Sequence, residues 1–367
     1  MPLLADGPVR VAVLYQALEP PIINGEKKPM KPGGYQDSGA DIAFALQGSE
    51  GIDVVTPRDD PDPADHHGWA FPDTEEGILE ALSRGATHVW ANTVLFASHP
   101  LQTSAAIGAY QDRVRVIGQG PLAVERYDDK DYINRLLRGL GGFTLPRSWS
   151  LSATTDPAAV HELPGIAYSV VGKPARGRGS YGVKVCHTAD ELQDHVRELQ
   201  SETMHVLIEQ FLAGEEVTVT VMPPAVAGKT DYWALPVVTR FDHEDGIAPS
   251  NGSVAVSTNS RAVSDSDKDP LYRALMRECE AVARALGTTA PIRVDARRHR
   301  DAASSKFALL DVNTKPNMTG PGRPGRDDQA CLTLLAAEAL GWEYRELLER
   351  ILRTASVLRD LRQVVPK

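Results

Sequence analysis

The order of apolar and polar positions divides the chain into short strand-length runs and longer helical stretches. Residues 9–15 form a near-continuous apolar run, the pattern of a strand buried on both faces. A loop rich in Pro, Gly and Lys follows over 19–34, and the spacing then predicts a helix over 38–46. Strands are predicted at 52–55, 88–91 and 114–117, with a helix at 75–82 between the first two. Strand and helix alternating in this way reads as an open α/β sheet, ending near the Gly118-Gln119-Gly120-Pro121 break.

Beyond the break the pattern changes. A helix is predicted over 126–140, carrying Asp128-Asp129-Lys130 near its start and closed by Gly139, Gly141 and Gly142. Strand-like segments follow at 168–174, 182–186 and 205–209, with a helix at 189–200 begun by Thr188 and Asp190. Residues 216–222 and 233–240 alternate like strands again. Residues 271–286 repeat apolar positions every three or four residues and stop at Gly287. Two strand-like runs at 291–297 and 309–314 precede a last amphipathic helix, predicted over 343–358. No internal repeat or low-complexity tract interrupts this order.

Composition narrows the function class. A chain of 367 residues is long enough for two or three domains, and 42% hydrophobic with 24% charged residues suits a soluble globular protein. A net charge of −10 argues against general nucleic-acid binding, which needs a broad basic surface. Positive charge gathers instead at 173–178 and 323–326, beside glycines, as expected for capture of a small anion. Cys186, Cys279 and Cys331 are scattered and odd in number, which favours a reducing cytoplasm over a disulfide framework or zinc site. No apolar run approaches the ~20 residues of a membrane span, and the first residues do not read as a signal peptide. A cytoplasmic protein is the expectation.

The sharpest chemistry lies in the runs at 291–297 and 309–314. Side chains alternate along a strand, so Arg293 and Asp295 share a face of the first, and Asp311 and Asn313 share a face of the second. A hairpin joining the runs would set all four side by side. Buried carboxylates must be paired or hold a metal, and hard oxygen donors beside an arginine suit Mg²⁺ carrying a phosphate.

Other features allow two readings each. Gly177, Gly179 and Gly182, with Ser180 and Tyr181 between them, match a dinucleotide glycine pattern, but the next residues read as a strand instead of a helix. The loop is then either an ordinary hairpin or a lid whose N–H groups fold over phosphates. Lys173 just before it is either an edge charge or a phosphate contact. Glu209 ends one strand and Glu216 begins the next, across Gln210-Phe211-Leu212-Ala213-Gly214; such acids are either solvated turn residues or contacts to adenine and ribose. Lys130 is a single lysine on a polar helix or a second phosphate contact. His66-His67 has no partner at ligand spacing, so a metal role there is not expected.

Taken in order, these pieces resemble the ATP-grasp superfamily, and within it the D-alanine–D-alanine ligase branch. The resemblance rests on Val171-Gly172-Lys173-Pro174 with the glycine-rich loop, on 209–219, on Arg293-Val294-Asp295, and on Asp311-Val312-Asn313-Thr314-Lys315-Pro316-Asn317-Met318-Thr319. It implies an α/β fold with α+β lobes: a Rossmann-like domain over 1–120, then a small lobe with the glycine-rich lid over 121–213 and a larger lobe over 214–367, the two clasping ATP. It also implies a ligase that phosphorylates a carboxylate to an acyl phosphate for attack by an amine. Lys130 and Lys173 would contact ATP phosphates under the lid formed by 177–182. Glu209, Gln210, Phe211 and Leu212 would meet adenine, and Glu216 the ribose. Asp295, Asp311 and Asn313 would hold a pair of Mg²⁺ ions, replaceable by Mn²⁺, with Arg293 and Lys173 as the catalytic cations. The partners are then small-molecule carboxylate and amine substrates, without nucleic acid or membrane; a homodimer stays open.

Departures bear on the substrate. The family's usual glutamate is Asp311 here, and its Ser-rich segment is replaced by 320–328, whose Arg323 and Arg326 either decorate a loop or bind the acceptor. The loop over 18–36 is longer than the family pattern, and 241–251 lacks a typical tyrosine-containing loop. These differences favour amino-acid coupling in specialised metabolism. The alternatives are D-alanine–D-alanine ligase proper, an ATP-grasp kinase without an acceptor, and a non-catalytic nucleotide-binding regulator.

Overall fold

A computed structural model describes residues 8–224, 228–248 and 256–367. Three sheets carry the fold. In the first, Val9–Tyr15 lies at the centre, flanked by parallel strands Ile52–Val55 and His88–Asn92, with Arg115–Ile117 beyond the latter. Phe71–Pro72 pairs with the end of Val9–Tyr15. Val11, Val13, Leu14, Val89 and Val116 are fully buried, which accounts for the uninterrupted apolar runs of a parallel sheet covered on both faces.

The C-terminus departs from expectation. The helix predicted over 343–358 ends at Leu352, and Ser356–Val357 then adds an antiparallel edge strand to Arg115–Ile117 before a short helix, Leu358–Arg362. Leu358 and Leu361 are buried in the core of this first sheet, so the last residues belong with the first hundred. The amphipathic spacing continues through the break, and it hides the two changes of direction.

The second sheet is antiparallel, in the order Lys184–Cys186, Val170–Pro174, His205–Gln210, Ser148–Ser152, covered by the helix Ala189–Gln200. Thr188 caps that helix by accepting from the Glu191 N–H. The third sheet runs Ser260–Ala262, Val238–Arg240, Glu216–Met222, Ile292–Arg298, Phe307–Asn313, with Trp233–Ala234 pairing the far end of Glu216–Met222. Its covering helix, Pro270–Leu286, starts at an Asp269 cap and stops where Gly287 turns left-handed, at φ 65°. Residues 233–240 form two short strands instead of one.

The helix predicted over 126–140 is also two helices. Pro121–Tyr127 ends, and Asp129 restarts the chain as Lys130–Leu140 by accepting from the Tyr132 N–H. This restart aims Lys130 into the cleft between the sheets. An additional helix, Leu332–Glu338, and a small hairpin, Ile22–Ile23 with Glu26–Lys27, were not expected.

A buried charge cluster ties the first sheet's helix to the segment after the third sheet. Asp41, fully buried on Gln36–Gln47, receives Arg326 in two bonds of 2.7 Å and the Arg323 Nε at 2.8 Å. Arg323 spends its remaining donors on the carbonyls of Asp37, Pro63 and Asp65. This corrects the expectation for these arginines: neither decorates a loop nor is free for an acceptor carboxylate, because Asp41 already holds both. Asp41→Asn leaves a buried guanidinium without its counter-charge and is expected to cost about 3–5 kcal/mol. Urea denaturation reads this as a lower midpoint at constant slope; a loss under about 1 kcal/mol, the ceiling for an exposed pair, would contradict it.

Candidate active site

The second and third sheets, with the N-terminal loop, line a cleft of about 920 Å³, within the range of small-molecule sites. One wall is the hairpin of Ile292–Arg298 and Phe307–Asn313. Its register sets Arg293 opposite Asn313 and Asp295 opposite Asp311, with a bulge just after Asp295. Arg293 binds Asp295 through two bonds of 3.0 and 3.2 Å, and the Asn313 amide donates to the same carboxylate at 3.0 Å. Thr218, paired with Asp295 from the neighbouring strand, donates at 2.6 Å. Burial alone would raise the Asp295 carboxyl, but Arg293 and the donated bonds hold it below the ordinary carboxylate range.

The helix Lys130–Leu140 supplies two groups one turn apart, on one face. Lys130 Nζ lies 3.1 Å from Asp311, and Asn134 donates to Glu209 at 2.8 Å. Burial opposes charge on Lys130, yet Asp311 and Asp128 raise its pKa above the usual lysine value. Lys173 and Glu209 occupy diagonal positions on adjacent strands and meet at 2.6 Å, both buried. Glu216 is held by Arg240 at 3.2 Å and His243 at 2.9 Å, with Arg297 3.8 Å away.

The glycine-rich loop lies between antiparallel Val170–Pro174 and Lys184–Cys186, as the strand after it requires. Gly179, Ser180 and Gly182 adopt left-handed φ near 60–70°, a conformation costly for side chains other than Gly. Gly177, Gly179, Ser180 and Tyr181 line the cleft, and the Ser180 hydroxyl reaches the Ala248 carbonyl at 3.5 Å. Gly182 does not line it but packs on Pro174 and Leu199.

Most of the sequence-predicted residues therefore share this space: Lys130, Lys173, Glu209, Gln210, Leu212, Glu216, Arg293, Asp295, Asp311 and Asn313 all line it. Phe211 does not; its ring packs on the Arg297 guanidinium, 5.0 Å away, which is part of the lining. Arg323 and Arg326 lie outside the lining, engaged with Asp41. Lining residues missed from sequence include Lys31, Tyr35, Arg178, Arg240, Arg297 and Lys315. Lys315 sits in the quoted run 311–319, so a cation at that point was visible, but only the fold shows it facing Tyr35.

Three hard-oxygen side chains, Asp295, Asp311 and Asn313, meet on one hairpin face, and this donor set fits a divalent cation such as Mg²⁺. Lys130 and Arg293 supply the positive charge beside them in this structure. Asp65, His66 and His67 bring potential ligand atoms together elsewhere, in an exposed loop where Asp65 already bonds His67 at 2.7 Å.

The chain matches the family described as D-ala D-ala ligase C-terminus over residues 147–353, more than half its length. The chain belongs to that family. A D-alanine–D-alanine ligase from Syntrophotalea carbinolica is 30% identical over 196 residues, covering 52% of this chain and 55% of that protein. The chain's match thus spans about half the length of such curated relatives. Among solved structures, D-alanine–D-alanine ligase from Bacillus anthracis complexed with ATP superposes with a TM-score of 0.64 at 19% identity, covering 97% of this chain and 99% of that one. VanG D-Ala:D-Ser ligase from Enterococcus faecalis gives 0.61 at 15% identity, covering 97% and 99%. At these identities the likeness establishes the fold, which is ATP-grasp. Among the described residues, no helix is long and apolar enough to cross a membrane.

The Lys173–Glu209 pair gives a direct test of the family site's energetics. Lys173→Met strands a buried carboxylate and is expected to lower stability by about 3 kcal/mol, while Lys173→Met with Glu209→Gln restores most of it. Urea denaturation of both variants decides; equal losses in the single and double variants would contradict coupling.

Proposed function

We propose that this protein is an ATP-dependent ligase that joins a carboxylate to an amine through an acyl phosphate. The carboxylate takes the γ-phosphoryl group of ATP, leaving ADP; the amine then attacks the acyl carbon, and phosphate departs as the amide forms. The observation that carries this reading is the convergence of the Lys173–Glu209 pair, the glycine-rich loop and the Asp295, Asp311 and Asn313 oxygens in one cleft.

Each paired cation has a role in it. Lys130 and Lys173 exchange their carboxylate partners for phosphate oxygens, and Arg293 neutralises charge on the transferring group. Asp295, Asp311 and Asn313 would hold divalent cations, Mg²⁺ or Mn²⁺, whose charge would neutralise the phosphates. Gln210 and Leu212 present peptide groups to adenine, with Glu209 beside them and Glu216 reaching the ribose hydroxyls. The residues 177–182 close as a lid that keeps water from the acyl phosphate. No protein nucleophile is needed.

The names of the relatives support D-alanine as an amino acid that is joined, and so favour D-alanine–D-alanine ligation over the specialised coupling expected from sequence. One observation favours a different second substrate: the basic side chains gathered on Tyr35 at the cleft end formed by the long N-terminal loop, of which Lys315 has no hydrogen-bond partner among the described residues.

An ADP-release assay with D-alanine alone, with D-alanine pairs and with other amino acids, followed by mass spectrometry, tests the proposal. ADP formation is expected to require Mg²⁺ and an amine, which a second molecule of D-alanine can supply, so the kinase outcome is read with carboxylic acids that lack an amine. Asp295→Asn and Asp311→Asn are each expected to reduce it by at least ~10²-fold, the scale of one lost transition-state charge contact. ADP released with a carboxylic acid alone would make the protein a kinase, and wild-type turnover in either variant would overturn the metal assignment.

A further inference from the structure

Three cations surround one phenol ring where the N-terminal loop meets the end of the hairpin. Lys315 Nζ lies 3.2 Å from the Tyr35 ring centroid, Lys31 Nζ 4.9 Å and the Arg178 guanidinium 5.8 Å. Lys31 is neutralised by Asp37 at 2.9 Å. Lys315 Nζ is shut off from solvent and, among the described residues, has no hydrogen-bond or ion-pair partner. Stacking on a ring returns only about 0.5–2 kcal/mol, and a buried ammonium without an anion is costly. Lys130 and Lys173, by contrast, each have a carboxylate in place.

The ring is deliberately placed. Tyr35 adopts a left-handed φ of 68° at the start of Gln36–Gln47, and its carbonyl accepts from Asn92 at 3.0 Å and Ser38 at 3.3 Å. A non-glycine residue held in that region stores strain that the surrounding bonds must sustain. The result is a platform of three basic side chains around one ring, one of them a buried amine with no polar partner among the described residues.

The geometry points to an anion subsite: Lys315, with Arg178 and Lys31 around Tyr35, recognises a carboxylate or phosphate on a substrate, distinct from the carboxylate that is activated. This rests on the ligase reading above, in which the reacting carboxylate sits beside Arg293 and the hairpin oxygens. Lys315 follows Asn313 by two residues, at most about 7 Å of chain, a reach spanned by a small dicarboxylic or phosphorylated amino acid.

Calorimetry with Mg²⁺ and the non-hydrolysable analogue AMP-PNP tests this, using glutamate against glutamine and O-phosphoserine against serine, each as D and L forms. The wild type is expected to bind the acidic member of one pair about tenfold more tightly than its neutral partner, the scale of one charge-assisted hydrogen bond. A preference for glutamate identifies a carboxylate, and one for phosphoserine a phosphate. Lys315→Met should erase the preference, Lys315→Arg should retain it, and AMP-PNP affinity should stay unchanged in both. Equal binding of acidic and neutral members by the wild type, or absence of binding by either, would overturn the subsite. So would a tenfold loss of AMP-PNP affinity in Lys315→Met, which would make Lys315 a nucleotide contact, or an equal loss for both members of a pair, which would place the reacting carboxylate there. Failure of the wild type to bind AMP-PNP, with the acidic preference intact, would instead count against the ligase reading alone.

Discussion

The site depends on charge pairing across the cleft in a partly dehydrated space. Asp295 is held by Arg293, Asp311 by Lys130, Glu209 by Lys173 and Glu216 by Arg240 and His243. Each acid comes from the third sheet or from the strand leading into it, and each would be untenable there alone. The pairs keep the cleft soluble in its own charges.

This requirement explains the architecture around the cleft. The antiparallel register of Ile292–Arg298 with Phe307–Asn313 is the shortest way to bring Asp295 and Asp311 together, and Glu216–Met222 adds Thr218 from the other side. The restart of the helix at Asp129 then places Lys130 and Asn134 over two different acids from one face. The helix Lys130–Leu140 and the hairpin share one apolar core, whereas the second sheet has its own and meets that helix through the Asn134–Glu209 bond. Such a division suits lobes that hold a ligand between them.

The Asp41 cluster plays the equivalent part outside the cleft. It locks the segment after the hairpin to the helix of the first sheet, and so fixes Lys315 and Asn317 against the N-terminal loop. The same loop crosses to the second sheet, where the Thr203 hydroxyl donates to the buried Glu26 at 2.6 Å, and Lys28 pairs with Asp128. The cleft is therefore lined by the second and third sheets and by the N-terminal loop, and its cationic end combines Lys31 of that loop with Arg178 and Lys315 of the matched family region.

Local pattern alone determined most of the longer strands, the helix start at Thr188, the helix stop at Gly287, and the shared faces of Arg293 with Asp295 and Asp311 with Asn313, because a period of two or 3.6 is a property of neighbouring residues. It also marked the glycine loop as something other than a dinucleotide turn. Tertiary structure decided what the charges do. Arg323 and Arg326 looked exposed in a glycine-rich loop, yet a buried Asp41 nearly three hundred residues away claims them. Phe211 and Gly182 sit within functional-looking motifs but are not part of the cleft lining, although Phe211 packs on Arg297, which is part of it. Lys315 was one more lysine until the fold placed its amine over Tyr35, away from water and without a hydrogen-bond partner among the described residues. The physical reason is common to all of these: the state of a charged group depends on which oxygen or nitrogen lies within a few ångströms of it, and that neighbour is supplied by distant chain.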